Sequence, residues 1–271
     1  MSARLGVIVT GGSSGIGLAS AKAFAARGAD VAIVARTPDK LEAARGELEA
    51  VASSDQLIVA VPADLCDPVA TAVAIAEILD AGIRPDVVVN SAGVINVGEF
   101  TQMTPEQFRG NIDSGFWSVV NPCRAIVPTM IERGTGHLVN VSSVAGFLGI
   151  YGYTSYSAAK YAVMGFTEAL RCELKPTGVS THIVCPPDTA TPALEREKSM
   201  RPPETDAIAG TIRAIPPQRV AEAITKGVDK DRYLIIPDAQ SRLYFRLKGL
   251  VPELFYAIVD GDVRKVRSKS D

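Results

Sequence analysis

Short β-branched, apolar runs alternate with stretches whose apolar residues recur three and four apart, and no other feature restricts the fold as strongly. Val7–Thr10, Val31–Ala35, Leu57–Val61, Val87–Asn90, Leu138–Ser142, Thr181–Cys185 and Tyr233–Pro237 read as strands bounded by turn residues. The helical spacing falls on Leu18–Ala26, Lys40–Ala52, Val69–Leu79, Pro105–Met130, Tyr156–Leu174 and Arg219–Val228. The runs are mostly apolar and rich in β-branched residues, as in strands buried on both faces. Such strands, each followed by a helix, predict an α/β fold with one parallel sheet covered on both sides. No repeat, low-complexity tract or linker divides the chain, so one domain is expected over residues 1–240.

Two regions break the alternation. Pro186 to Pro217 holds seven of the 17 prolines together with many charges, and this long connection is expected to act as a mobile lid. Residues 241–271 form a tail that mixes large apolar and basic residues. From Gln240 onward it carries seven basic and four acidic residues, a net +3 in a chain whose total is −2. Two readings of the tail stay open. It packs over its own domain or a partner subunit, or it lies in a membrane interface, with apolar residues at the headgroup boundary and cations on anionic lipid. Its charges and Pro252 argue against a spanning helix.

Composition narrows the function classes. A net charge of −2 argues against a nucleic-acid partner. The four cysteines, at 66, 123, 172 and 185, have neither zinc-knuckle nor redox-pair spacing, and they suggest a reducing, cytoplasmic setting. The two histidines, His137 and His182, form no HExxH arrangement, so no metal is expected. No targeting segment is recognisable at the start.

Thr10–Gly17, TGGSSGIG, joins the first strand to the first helix. Glycines there permit a tight turn and close backbone approach, and the helix start offers free N–H groups to a pyrophosphate. Gly11, Ser13, Ser14, Gly15, Ile16 and Gly17 are the candidate phosphate-binding residues. The same string is a literal GxSxG, the nucleophile elbow of a serine hydrolase. That competing reading needs several strands before Ser13 and a histidine base. Only one strand precedes it, and both histidines lie at or inside predicted strands.

Tyr156 and Lys160 are four apart at a helix start and so share one helical face. A phenol is a poor acid–base group near neutrality unless a cation stabilises its phenolate, which Lys160 can do. Ser143 follows the strand Leu138–Ser142, so all three can meet at the carboxyl end of the sheet.

TGGSSGIG, NSAG at Asn90–Gly93, Asn111, Ser143 and YSAAK together resemble the short-chain dehydrogenase/reductases over about residues 5–240. The resemblance implies a Rossmann-type, doubly wound, seven-stranded sheet and a homodimer or homotetramer. It implies that Tyr156 is the general acid, that Lys160 lowers its pKa and holds the ribose, and that Ser143 binds the substrate carbonyl. Asn111 would hold a water relaying protons to Lys160, and Asn90, Ala92 and Gly93 would line the nicotinamide nucleotide. Asp64, with Leu65, would contact the adenine. Thr191, near Thr189, would hold the carboxamide. At the end of the second strand Ala35 fills the slot that is acidic in NAD-preferring relatives, and Arg36 and Lys40 follow. Two cations without a carboxylate suit the 2′-phosphate of NADPH; the alternative is that both are solvated surface charges. Pro187 replaces a usual glycine and Ser91 a usual asparagine. CPPDTATP, VARTPDKLEAA and GYTSYSAAKYAVMGF look like the 3-ketodihydrosphingosine reductases, which implies a long-chain ketone substrate. A generic ketoreductase acting on a thioester, steroid or other ketone, and a non-catalytic nucleotide-binding regulator, are the alternatives.

Overall fold

The computed structural model describes residues 4–209 and 212–267. Positions 210 and 211 of the expected lid, the tail end with Lys269, and residues 1–3 lie outside the described residues.

Seven strands form one parallel sheet in the order β3-β2-β1-β4-β5-β6-β7. They are β1 (Gly6–Thr10), β2 (Asp30–Ala35), β3 (Ile58–Pro62), β4 (Val87–Asn90), β5 (Gly136–Val141), β6 (Val179–Val184) and β7 (Leu234–Ile235). The order reverses between β1 and β4, so the loops leaving those two strands diverge and open a crevice at their carboxyl ends. Side chains alternate across the sheet. Ile8, Ala32, Val34, Val88, Leu138 and Ile183 face α3 (Pro68–Asp80) and α5 (Ser118–Arg133). Val7, Val9, Val31, Ile33, Val89 and Val139 face α1 (Gly15–Ala25), α2 (Pro38–Glu49) and α9 (Pro217–Asp229). With apolar partners on both faces, the strands need the predominantly apolar runs seen in the sequence.

Pro105–Met130 does not form the continuous helix that its spacing suggests. α4 (Pro105–Ile112) starts on a capping box between Thr104 and Gln107, then passes through a wide π turn at Asp113–Trp117 before α5 begins. Pro122 offers no N–H to Ser118, and its ring crowds that carbonyl, which disfavours a regular helix at this junction. Within the wide turn Gly115 lets the chain approach α6 (Thr154–Leu174): a Cβ there would come within 2.9 Å of the Ala159 methyl.

The expected lid carries two short helices, α7 (Pro192–Lys198) and α8 (Pro203–Ala209), and Thr189 pairs with Ile215 in a parallel bridge. The tail forms α10 (Ala239–Leu250) and α11 (Pro252–Arg267). Asp238 caps α10 by accepting from the Ser241 N–H at 2.7 Å. One tail face packs on the domain, with Phe245 edge-on to Phe147 at 5.1 Å and Phe255 in the core. Lys248 donates to the Phe147 carbonyl and, at 2.6 Å, to the Tyr161 hydroxyl. Leu250, Leu254 and Ile258 stay 57–79% exposed. Among the described residues no helix is long and apolar enough to cross a membrane.

Candidate active site

The glycine-rich turn is built by close approach. Gly11 and Gly15 adopt φ of +66° and +55°, which only glycine adopts without strain. A Cβ on Gly11 would stand 2.8 Å from the Ala92 backbone, and one on Gly17 2.2 Å from the Gly11 carbonyl oxygen. Ser14, the residue preceding α1, makes no capping bond with its side chain, so no side chain there takes the first amides of the helix. This bare helix start, with a cradle that any side chain would fill, fits the pyrophosphate of a dinucleotide. Thr191 caps α7, accepting from Leu194 at 3.3 Å, and its methyl lies 3.1 Å from where a Gly15 Cβ would be. The connection after β6 therefore comes up against the same turn. Thr189 is buried, and its hydroxyl donates to the Pro187 carbonyl at 2.9 Å.

Arg36 and Lys40 are exposed at the end of β2 and the start of α2. Asp64 accepts from the Cys66 N–H at 3.0 Å. Leu65 packs in the core, and its carbonyl accepts from Asn121 at 2.9 Å. Two of the residues suggested by sequence have side chains committed elsewhere. Asn90 is fully buried and donates to Asn140 at 2.9 Å and to the Cys123 sulfur at 3.4 Å. Asn111, also fully buried, donates to the Asn96 carbonyl (2.8 Å) and the Ser155 hydroxyl (2.7 Å), while its Oδ1 accepts from the Asn96 N–H. Its amide therefore braces the chain after β4 against α6.

Tyr156 and Lys160 lie in the first turns of α6, beside the end of β5. Lys160 is 5% exposed and donates to the Val141 carbonyl at 3.1 Å, with its ammonium 5.8 Å from the Tyr156 ring centre. Burial without a carboxylate partner among the described residues lowers the Lys160 pKa from 10.5 to about 8. Burial raises the Tyr156 phenol, Glu197 and Asp188 raise it further, and Ser143 opposes them by favouring the phenolate. At neutral pH the phenol holds its proton and is able to donate it. Ser143 also accepts from the Ala145 N–H at 3.1 Å, which fixes the turn after β5.

Lys160→Met should report the strain of this arrangement. Below pH 8 the folded protein carries an ammonium that is harder to protonate than in the unfolded chain, by 10.5 minus about 8. Removing that charge is expected to stabilise the fold by up to about 3 kcal/mol at pH 7, fading between pH 8 and 10.5. Thermal melts across that range read the effect; a variant no more stable than the parent would mean that the bond to Val141 outweighs the desolvation.

Sequence reasoning missed a charged cluster beside Tyr156. The Tyr153 ring stands edge-on to Tyr156 at 5.7 Å, and its hydroxyl donates to Glu197. Arg201 pairs with Glu197 and, at 2.8 Å, with Asp188. The spacing of four between Glu197 and Arg201 was the available signal.

The histidines gather elsewhere. His137 Nδ1 lies 3.0 Å from His182 Nε2, and the other nitrogen of His182 faces the Arg232 carbonyl at 2.7 Å. Asp231 is 4.0 Å from His182, and the three donor atoms fall within 4.8 Å of one another, a proximity that sequence spacing does not reveal. Burial lowers both imidazole pKa values, which favours their neutral forms, while Asp231 opposes it. His137 is near the start of β5, whereas Ser13 follows the carboxyl end of β1, so this pair does not serve Ser13 as a base.

The short chain dehydrogenase profile matches residues 6–202. The chain belongs to that family. It is therefore an oxidoreductase of CH–OH and C=O groups that uses a nicotinamide nucleotide and a small-molecule substrate. The 3-ketodihydrosphingosine reductase of Bos taurus is 37% identical over 222 residues, covering 81% of this chain and 67% of that protein. A short-chain dehydrogenase from Sphingobium yanoikuyae, solved with NADPH, superposes with a TM-score of 0.75 at 27% identity, covering 97% and 94% of the two chains. A family member from Burkholderia phymatum, solved with NAD, has a TM-score of 0.82 over 93% and 95%; at 21% identity it shows the fold alone.

Proposed function

We propose that this protein reduces the 3-ketone of a long-chain sphingoid base, with NADPH as reductant. The observation that carries the chemistry is the Tyr156 phenol, kept protonated by burial, with the Ser143 hydroxyl and the carboxylate-free Lys160 ammonium beside it. The 37% identity to a 3-ketodihydrosphingosine reductase supports the substrate. When bound, the nicotinamide supplies a hydride to the carbonyl carbon. Ser143 donates to the carbonyl oxygen, Tyr156 protonates it as charge develops, and Lys160 stabilises the phenolate left behind. The Asn111 amide is engaged, so a water held there for proton relay would rest on the backbone carbonyl.

For the nucleotide, the amides of Ser13 to Gly17 take the pyrophosphate, while Asn90, Ala92 and Gly93 bound the nicotinamide end. Asp64 and Leu65 bound the adenine. The exposed Arg36 and Lys40 take the 2′-phosphate, with Ala35 leaving no competing carboxylate at the strand end. Thr189 and Thr191 flank the carboxamide. The fold acts as one catalytic domain over 1–240, with 186–217 as the lid that covers the substrate. Steady-state NADPH oxidation with a ketone panel tests the reading. 3-Ketosphinganine is expected to exceed a 3-oxoacyl thioester and a cyclic ketone by at least roughly tenfold in kcat/KM. Preference for either of the others would overturn the substrate assignment.

The enzyme works in the cytoplasm as a homodimer or homotetramer, and Trp117, Ile131 and Tyr161, each above 40% exposed beside or on α5 and α6, support that surface as the interface. Residues 241–271 touch the membrane surface. Leu243, Leu250, Leu254 and Ile258 are exposed on α10 and α11, with Arg246 and Arg264 also in solvent, which suits an anionic headgroup boundary. The full chain should float with anionic vesicles at low salt and a chain truncated after residue 240 should not. Failure of the full chain to float would leave the tail as packing on its own domain.

A further inference from the structure

The lid brings more negative charge to the site than it balances. Arg201, with a side chain only 2% exposed, is the cation of the cluster. It faces Glu197 and Asp188, whose side chains are 9% and 22% exposed, and at 3.5 Å the solvent-exposed Asp206. Glu197 and Asp188 together exceed Arg201 by one negative charge, in a place where solvent compensates poorly. The donors to Glu197 also converge on one atom. The Tyr153 hydroxyl, Arg201 Nε at 2.8 Å and Arg201 Nη2 all bond Oε1. No hydrogen bond among the described residues reaches Oε2.

This half-filled carboxylate is one aromatic ring away from the reacting group, because the ring that carries the Tyr153 hydroxyl packs edge-on against Tyr156. A primary ammonium on the carbon adjoining a ketone lies, by ordinary bond lengths, within about 4 Å of the carbonyl oxygen in any rotamer. Glu197 and Asp188 are close enough to act on the Tyr156 phenol through charge, so a cation beside a ketone held by Tyr156 and Ser143 comes under the same field. We propose that Glu197, assisted by Asp188, forms a subsite for a primary ammonium on the carbon next to the reacting ketone. The inference rests on the ketoreductase reading above and adds the feature that selects among long-chain ketones. Arg201 and Tyr153 hold the carboxylate in place, and the substrate cation supplies the missing positive charge. The same cation opposes the upward push that Glu197 and Asp188 exert on the Tyr156 phenol, so binding also makes that proton easier to give.

The test compares 3-ketosphinganine with the same chain lacking the amine, and with its neutral N-acetyl derivative, in the parent enzyme, in Glu197→Gln and in Asp188→Asn. The parent should favour the free amine over both neutral ketones by at least roughly tenfold in kcat/KM. Glu197→Gln keeps the shape and should cut the amine's kcat/KM by roughly ten- to a hundredfold, the range for one charge-assisted hydrogen bond, and that of the neutral ketones far less. Asp188→Asn should compress the preference in the same direction by a smaller factor. Equal losses for all three substrates in Glu197→Gln would make the cluster a lid brace and overturn the subsite, as would a parent enzyme that reduces the amine-free ketone equally well. The parent comparison decides even if the variants do not fold. An enzyme that reduces none of these ketones defeats the underlying reading instead.

Discussion

Tyr156→Phe is expected to lower kcat for ketone reduction by roughly 10²- to 10⁴-fold, the range for a positioned general acid. The substitution deletes one hydroxyl and leaves the ring that packs edge-on against Tyr153 at 5.7 Å. Nucleotide binding should weaken by no more than about one hydrogen bond, roughly 0.5–1.5 kcal/mol. Turnover and nucleotide titration on the same preparation separate the two effects. The contrast follows from the environment: burial keeps the proton on Tyr156, so at neutral pH the phenol can act only as a donor. Near-parental turnover of a verified ketone would show that solvent supplies the proton and that Tyr156 merely lines the site.

Arg36→Ala is expected to weaken NADPH binding by roughly ten- to a hundredfold and to leave NADH binding nearly unchanged. The magnitude is that of a lost charge-assisted bond to phosphate, about 1.5–3 kcal/mol. Arg36 stands exposed where β2 ends, with Ala35 just before it and Lys40 in the first turns of α2. A planar guanidinium grips a phosphate through two bonds at once, so Lys40 alone does not replace it. Fluorescence titration of both nucleotides against both proteins gives the ratio directly. Equal weakening of the two would mean that Arg36 supports the loop and does not read the 2′-phosphate.

Features that depend on local chemistry were legible before the fold was known. All seven strands were visible because each is apolar on both faces, a pattern that only a doubly covered sheet needs. The turn at Gly11–Gly17 was legible because positive φ and close backbone approach demand glycine at fixed positions. What escaped was set at a distance. Within the π turn ahead of α5, Gly115 comes up against Ala159, residues 44 apart in sequence. The Tyr153–Glu197–Arg201–Asp188 cluster forms when the long connection after β6 folds back onto the start of α6. His137 and His182 sit on neighbouring strands whose register brings their rings together, which spacing alone does not encode. The Asn111 amide ties the Asn96 carbonyl after β4 to the Ser155 hydroxyl of α6, contacts across 15 and 44 residues that spacing does not reveal.

The most direct measurement of the central claim is isotope transfer from NADPH carrying deuterium at nicotinamide C4, on the transferred face, to 3-ketosphinganine. Mass spectrometry should find sphinganine with one deuterium at C3, formed by the parent enzyme at the rate of NADPH oxidation and lost in Tyr156→Phe. NADPH oxidation without deuterium at C3, or no oxidation with any long-chain ketone, would contradict the account.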